Sequence, residues 1–237
     1  LQHAMELDPL HREPYVLLAR LYVQRNEHLQ AIERLKRLIA RNPQDVPALM
    51  LLGMIYNQLK DFTPARDMYE KALVVNPRFS PALNNLAYLY SEHFNQLDRA
   101  FQMAQRARAL IPWDALTADT LGWILFKREE YPWALSLLQE RADRLPNQPE
   151  VLYHLGMAQY MMGYETAARV SLQRALQSSA DFLGRDLCVR RLAILAIDVT
   201  RLDQAGLAAL EAQLAPDKND PVALAKLGAA YENSGAP

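Results

Sequence analysis

VPALMLLGMIYNQLKDFTPARDMYEKALVVNPRF, the stretch from Val46 to Phe79, holds two helical faces and the break between them. Leu49, Leu52, Gly53 and Tyr56 follow the i, i+3, i+4, i+7 spacing of one face of a helix. Ala65, Tyr69 and Ala72 mark a second face. Between them Lys60-Asp61-Phe62-Thr63-Pro64 reads as a short turn, with proline near the first helical position, where its missing N–H costs nothing. Pro77 closes the unit. The stretch is therefore helix A, turn, helix B, exit.

Working outward, the exit proline recurs as Pro9, Pro43, Pro77, Pro112 and Pro146, at intervals of 34, 34, 35 and 34 residues. A further step lands on Ala180, inside Ser178-Ser179-Ala180, which also reads as a break. A period near 34 predicts an all-α solenoid of antiparallel helix pairs. Such stacks present long surfaces and rarely enclose a reaction centre.

Glycine and alanine recur at fixed phase. Gly53, Gly122 and Gly156 stand mid-helix, where glycine costs ~1 kcal/mol relative to alanine. Ala65, Ala100, Ala134 and Ala168 recur once per unit. The expectation is that a neighbouring backbone approaches closely at these positions.

The pattern resembles the tetratricopeptide repeat family over nearly the whole chain. The first unit, 12–45, carries Tyr15, Leu18, Ala19, Tyr22, Ala31, Leu35 and Pro43, with Leu38 in place of a small residue. The unit 46–79 is the one quoted above. The unit 80–114 supplies Leu83, Leu86, Ala87 and Tyr90, then resumes with Ala100, Ala104, Ala107 and Pro112 after one inserted residue near Glu92-His93-Phe94-Asn95. The unit 115–148 gives Ala118, Leu121, Gly122, Leu125, Ala134, Leu138 and Pro146, with Arg141 departing. The unit 149–182 gives Leu152, Leu155, Gly156, Ala168, Leu172 and Ala175, with Gln159 where Tyr is usual. Phase slips at Leu183-Gly184-Arg185-Asp186, so 183–220 reads as a divergent repeat, with helices over Leu187–Val199 and Asp203–Leu214. Leu224, Leu227, Gly228 and Tyr231 restart the signature in 221–237. Residues 1–11 read as the second half of a helix pair, and Gly235-Ala236-Pro237 falls on an inter-helix turn. The expectation is one array, 1–237, that continues on both sides in a longer protein.

The resemblance implies a right-handed superhelix whose A helices line a concave groove. The groove candidates are Met50, Met54, Asn84, Tyr88, Asp119, Trp123, Phe126, Tyr153, Met157 and Tyr160. Arg191 and Asp198 join them from the divergent repeat. Met and aromatic residues are enriched at interfaces, and Met adapts to different partners. The competing reading packs several of these side chains between adjacent A helices. Two recognition modes of the family lack their residues. A carboxylate clamp needs Lys and Asn where this chain has Val16, Arg20, Met50 and Met54; an asparagine ladder finds only Asn85 among Leu17, Leu51, Thr120 and His154.

Composition narrows the function. Lys+Arg 26 against Asp+Glu 27 gives a net charge of −1, with no overall excess to neutralise phosphates. No apolar run approaches ~18 residues, and Leu1-Gln2-His3-Ala4 opens no signal-peptide pattern. Cys188 is alone, so no internal disulfide forms. Cytoplasm and periplasm or cell envelope both remain open. His3, His11, His28, His93 and His154 show no metal-ligand spacing, and isolated histidines at turns are expected to face solvent. Glu129-Glu130 reads as a solvated turn, and Cys188 lacks a general base to activate it.

The reading is a non-enzymatic scaffold without cofactors, binding a peptide segment or helix of a protein partner and not nucleic acid. Two further classes stand beside it. One is the recognition arm of an enzyme or an envelope or exopolysaccharide-export protein; stretches such as Thr120-Leu121-Gly122-Trp123 resemble bacterial arrays of that kind. The other is end-to-end self-association.

Overall fold

The structure, a computed structural model, describes residues 12–178, 182–214 and 217–234. Among them are thirteen α-helices, one 3-10 turn and no strand. Helices α1 (Arg12–Gln24), α2 (His28–Arg41), α3 (Val46–Gln58), α4 (Phe62–Val75), α5 (Ser80–Glu92) and α6 (Leu97–Leu110) form three A–B pairs. Helices α7 (Ala115–Lys127), α8 (Tyr131–Arg144), α9 (Pro149–Met161) and α10 (Glu165–Gln177) form two more. Then come α11 (Arg185–Ala196), the 3-10 turn Val199–Arg201, α12 (Gln204–Leu214) and α13 (Pro221–Ser234). The chain divides into two compact units, one running to Trp113 and one from Asp114. The half-repeat expected over 1–11 and the turn expected at 235–237 lie outside the described residues.

From α1 to α10 each A helix packs on its own B helix, and within each unit each B helix packs on the next A. Local chemistry sets the ends. The Asp45 carboxylate accepts the N–H of Ala48 at 2.9 Å, and Asp114 accepts that of Thr117 at 2.9 Å, capping α3 and α7. At the exits, the amide oxygens of Asn42 and Asn76 accept the N–H groups of Gln44 (3.2 Å) and Arg78 (3.1 Å). These are Asx turns built around Pro43 and Pro77, and they explain why proline keeps the repeat's time.

The A-to-B turns repeat more faithfully than their residues do. Asn26, Lys60, Glu129 and Gly163 have φ of 59°, 63°, 63° and 74°, the left-handed region. In each case the next N–H reaches back to a carbonyl five residues earlier: Glu27 to Tyr22, Asp61 to Tyr56, Glu130 to Leu125 and Tyr164 to Gln159. This is the Schellman ending of a helix. The inserted residue of the third pair sits in this turn. It spans His93 to Gln96, keeps a left-handed residue at Asn95 (φ 51°), and closes with Gln96 N–H on the Tyr90 carbonyl at 2.8 Å. The second turn is shorter than expected. Phe62, Thr63 and Pro64 already belong to α4, so Pro64 is its third residue, where an N–H still has no acceptor within the helix.

The repeated small residues make room for side chains more than for backbone. A Cβ on Gly53 would lie 2.5 Å from the Tyr69 ring, one on Gly122 2.9 Å from Leu138 Cγ, and one on Gly156 2.7 Å from Leu172. Tyr69, Leu138 and Leu172 are the fully buried large residues of the partner B helix. The small A-helix residue and the large B-helix residue are thus one complementary pair.

The second unit departs from the regular stack after α10. Helices α11 and α13 fold against α9, which is also packed by α7, α8 and α10. Val151 through Tyr160 are all buried as a result. A helix apolar on every side is a core helix, and α9 has become one. Gly184 (φ 95°) makes the approach possible: a Cβ there would lie 2.3 Å from the Tyr153 ring. The last carbonyls around the α11 terminus are satisfied by cations, Arg169 on the Leu195 carbonyl at 2.5 Å and Lys226 on that of Ile197 at 3.1 Å.

Candidate partner-binding surfaces

The first unit offers its A-helix layer. Met54 and Tyr88 occupy the same position of consecutive repeats and are 49% and 36% exposed. Most other apolar side chains on α3 and α5 are buried against B helices. Met50, one turn before Met54, is half-buried, and Arg20, Gln24 and Gln58 give the layer an exposed polar margin. Tyr88 is braced edge-on by His93 at 5.8 Å, and His93 stacks on Phe62 at 3.5 Å. Asn84 is buried, and its Oδ1 meets no donor; the same is true of Asn57 Oδ1 on the preceding A helix. A buried amide oxygen without a partner costs about 1–3 kcal/mol.

In the second unit Asp119, Trp123, Phe126 and Tyr153 come together. Trp123 stacks on Phe126 (4.7 Å, 3° between planes) and on His154 (4.1 Å, 17°), and it meets Tyr153 at 5.5 Å. His154 Nδ1 lies 3.1 Å from Asp119 Oδ1. His154 is therefore not the solvent-facing turn residue expected from sequence. It lies mid-helix in α9, buried, orienting against a carboxylate. Trp123, Phe126 and Asp119 remain half-buried, whereas Tyr153, Met157 and Tyr160 are inside. These three face the core because α11 and α13 cover α9, which the apolar character of α9 alone does not distinguish from a groove.

Arg191 is likewise a core residue and not a groove residue. Its guanidinium pairs with the fully buried Asp220, reaches Asp217 at 2.5 Å, and lies 4.8 Å above the Tyr160 ring. The Tyr160 hydroxyl donates to Asp220 at 2.8 Å, and burial pushes this hydroxyl well above the usual tyrosine range. Asp220 also accepts the N–H groups of Val222 (3.1 Å) and Ala223 (2.9 Å), capping α13. One carboxylate thus joins α9, α11 and α13. Asp198 is exposed and turns back on Thr200, whose hydroxyl and N–H hold its carboxyl below the usual range. Cys188 donates to the Leu172 carbonyl at 3.4 Å, and burial pushes its thiol up to about 11 despite Arg185. Among the described residues no group of three or more His, Cys, Asp or Glu is placed to hold a metal ion. No described helix is long and apolar enough to cross a membrane.

Two family models, both described as tetratricopeptide repeat, match residues 16–83 and 68–102. Residues 16–102 are tetratricopeptide repeats. No curated protein sequence matches it significantly. Solved repeat proteins resemble it in fold. YrrB, described as a TPR protein with an unusual peptide-binding site, is 21% identical at a TM-score of 0.60, over 79% of this chain and 95% of that one. Pseudomonas aeruginosa pilF is 19% identical at 0.62, over 90% and 87%. A chain of the APC/C hetero-tetramer Cut9–Hcn1 is 17% identical at 0.70, over 97% of this repeat protein and 44% of that chain. At such identities the likeness concerns fold alone.

Proposed function

We propose that this repeat protein is a non-catalytic interaction scaffold whose first unit takes a peptide segment of a partner on its A-helix layer. The observation that carries the proposal is the combination at α3 and α5. Two exposed apolar side chains, Met54 and Tyr88, stand at equivalent positions on consecutive A helices. An extended or helical segment can supply the apolar side chain that Met54 and Tyr88 would take. Met50 and Asn57 extend the same layer. In the second unit the half-buried Trp123 and Phe126, beside Asp119, form a smaller aromatic patch that a partner can reach. Tyr153, Met157 and Tyr160 contribute indirectly, by fixing the wall behind Trp123.

The test is comparative capture of partners from the source cells with the wild-type chain, Met54→Glu and Tyr88→Glu. Proteins that bind the A layer should be captured by wild type and depleted about tenfold in both variants, with circular dichroism unchanged. An identical set of captured proteins from all three would refute the assignment. Capture of a catalytic subunit or an envelope component would identify the larger assembly that the scaffold serves.

A further inference from the structure

The net charge of −1 hides a segregation within the first unit. Its B helices α2, α4 and α6 carry nine Lys and Arg against four Asp and Glu, whereas its A helices α1, α3 and α5 are balanced. The B layer also contains an apolar opening. A cleft of about 240 Å³ lies between α4 and α6 over α5; Leu73, Val74, Leu86 and Met103 supply its apolar lining, and Glu70, Arg99 and Arg106 stand among its walls. Val74 is 83% exposed. Arg99 lies 4.2 Å above the Tyr90 ring and 3.7 Å from Glu70, which the Tyr90 hydroxyl also bonds. Arg106 is held by the Pro77 carbonyl at 3.2 Å. Both guanidiniums are therefore fixed at the cleft, and lose little freedom on meeting an anion.

We propose that this B-helix cleft is a second protein-binding site, specific for an acidic segment that inserts an aliphatic or aromatic side chain between α4 and α6. The site is independent of the A-layer reading. Charge complementarity selects the occupant. The cleft has room for a side chain or two, less than the ~300 Å³ of a typical small-molecule pocket. Two arginines outnumber the single Glu70 at its walls and favour carboxylates alternating with apolar residues. Glu33, Asp67, Glu70 and Asp98 interrupt the basic layer. That interruption disfavours a continuous anion such as a phosphate backbone, whose binding scales with the number of unopposed cations.

The probes are a fluorescein-labelled peptide with Leu and Phe at helical spacing among Asp and Glu, its isomer with Lys replacing every acid, a labelled single-stranded oligonucleotide, and phosphatidylserine vesicles. Fluorescence anisotropy should show the acidic peptide binding wild type and weakening as salt screens the contact. Val74→Glu, at an exposed position with little folding cost, should weaken it about tenfold, as should Arg106→Glu. Met54→Glu/Tyr88→Glu should leave it unchanged. The Lys isomer should not bind. Equal binding of both peptides, insensitivity to Val74→Glu in a protein with an unchanged melting curve, or stronger binding of the oligonucleotide or the vesicles would each overturn the proposal. Loss of the acidic peptide in the Met54/Tyr88 variant alone would move it to the A layer and overturn the second site.

Discussion

Replacing Asp220 by Ala should cost the second unit about 3–5 kcal/mol. The carboxylate is fully buried and serves three elements at once: it pairs with Arg191, accepts the Tyr160 hydroxyl and caps α13 through Val222 and Ala223. Loss of a helix cap is typically worth ~1 kcal/mol. A buried hydroxyl left without an acceptor adds roughly 1–3 kcal/mol. Removing one member of a buried ion pair costs about 3–5 kcal/mol, because the other charge stays behind; that figure already contains part of the first two. Asp217 softens the loss, since it still reaches Arg191 from the surface. Whole domains are stable by only ~5–15 kcal/mol, so the change is large. Urea unfolding followed by circular dichroism gives the total, and hydrogen exchange of α11 and α13 locates it, since the two units need not unfold together. The companion variant Arg191→Met/Asp220→Ala removes both charges and should recover most of the loss. A single-variant cost below about 1 kcal/mol, or strict additivity in the pair, would refute the account.

Four shorter expectations follow from the same structure. Stability should fall above about pH 10, where unfolded tyrosines ionise but burial keeps Tyr69 and Tyr90 protonated to about 12. A raised folded pKa stabilises fully below the unfolded value and is lost as pH climbs toward the folded one; unfolding midpoints measured from pH 8 upward should be flat and then decline. Cys188 should resist a thiol reagent at pH 8 in the native protein and react once urea opens the second unit, because its thiol is buried and pushed up to about 11; rapid native labelling would contradict this. Lys60→Gly and Glu129→Gly should each raise stability by about 0.5–1 kcal/mol by relieving a left-handed non-glycine residue, checked by thermal melting. Gly53→Ala should destabilise by ~1–3 kcal/mol, since the Tyr69 ring must move, despite alanine's better helix propensity; a neutral result would show that the ring relaxes freely.

The helix pairs were legible because each repeat states the same pattern and the prolines and asparagines mark the exits. The turns were less so. Their backbone repeats, yet Asn26, Lys60, Asn95, Glu129 and Gly163 include four residue types, so the conformation leaves little trace in composition. The fate of α9 was hidden for another reason. Tyr153, Met157 and Tyr160 suit a groove or a core equally, and what covers them is a divergent repeat whose key pair, Arg191 and Asp220, carries no local motif. His154 stood as a lone histidine. Its register, one repeat and one residue on from Asp119, brings the two together. The basic B layer was countable in the sequence once charges were tallied by helix and not over the whole chain.

The longer third turn carries a practical lesson. Since an additional residue at His93–Gln96 is absorbed without breaking either flanking helix, these reversals are natural seams. A fluorophore site or short tag spliced beside Lys60 or Glu129 would ride on the solvent edge, away from both helix layers, and would let binding to either layer be followed without touching it.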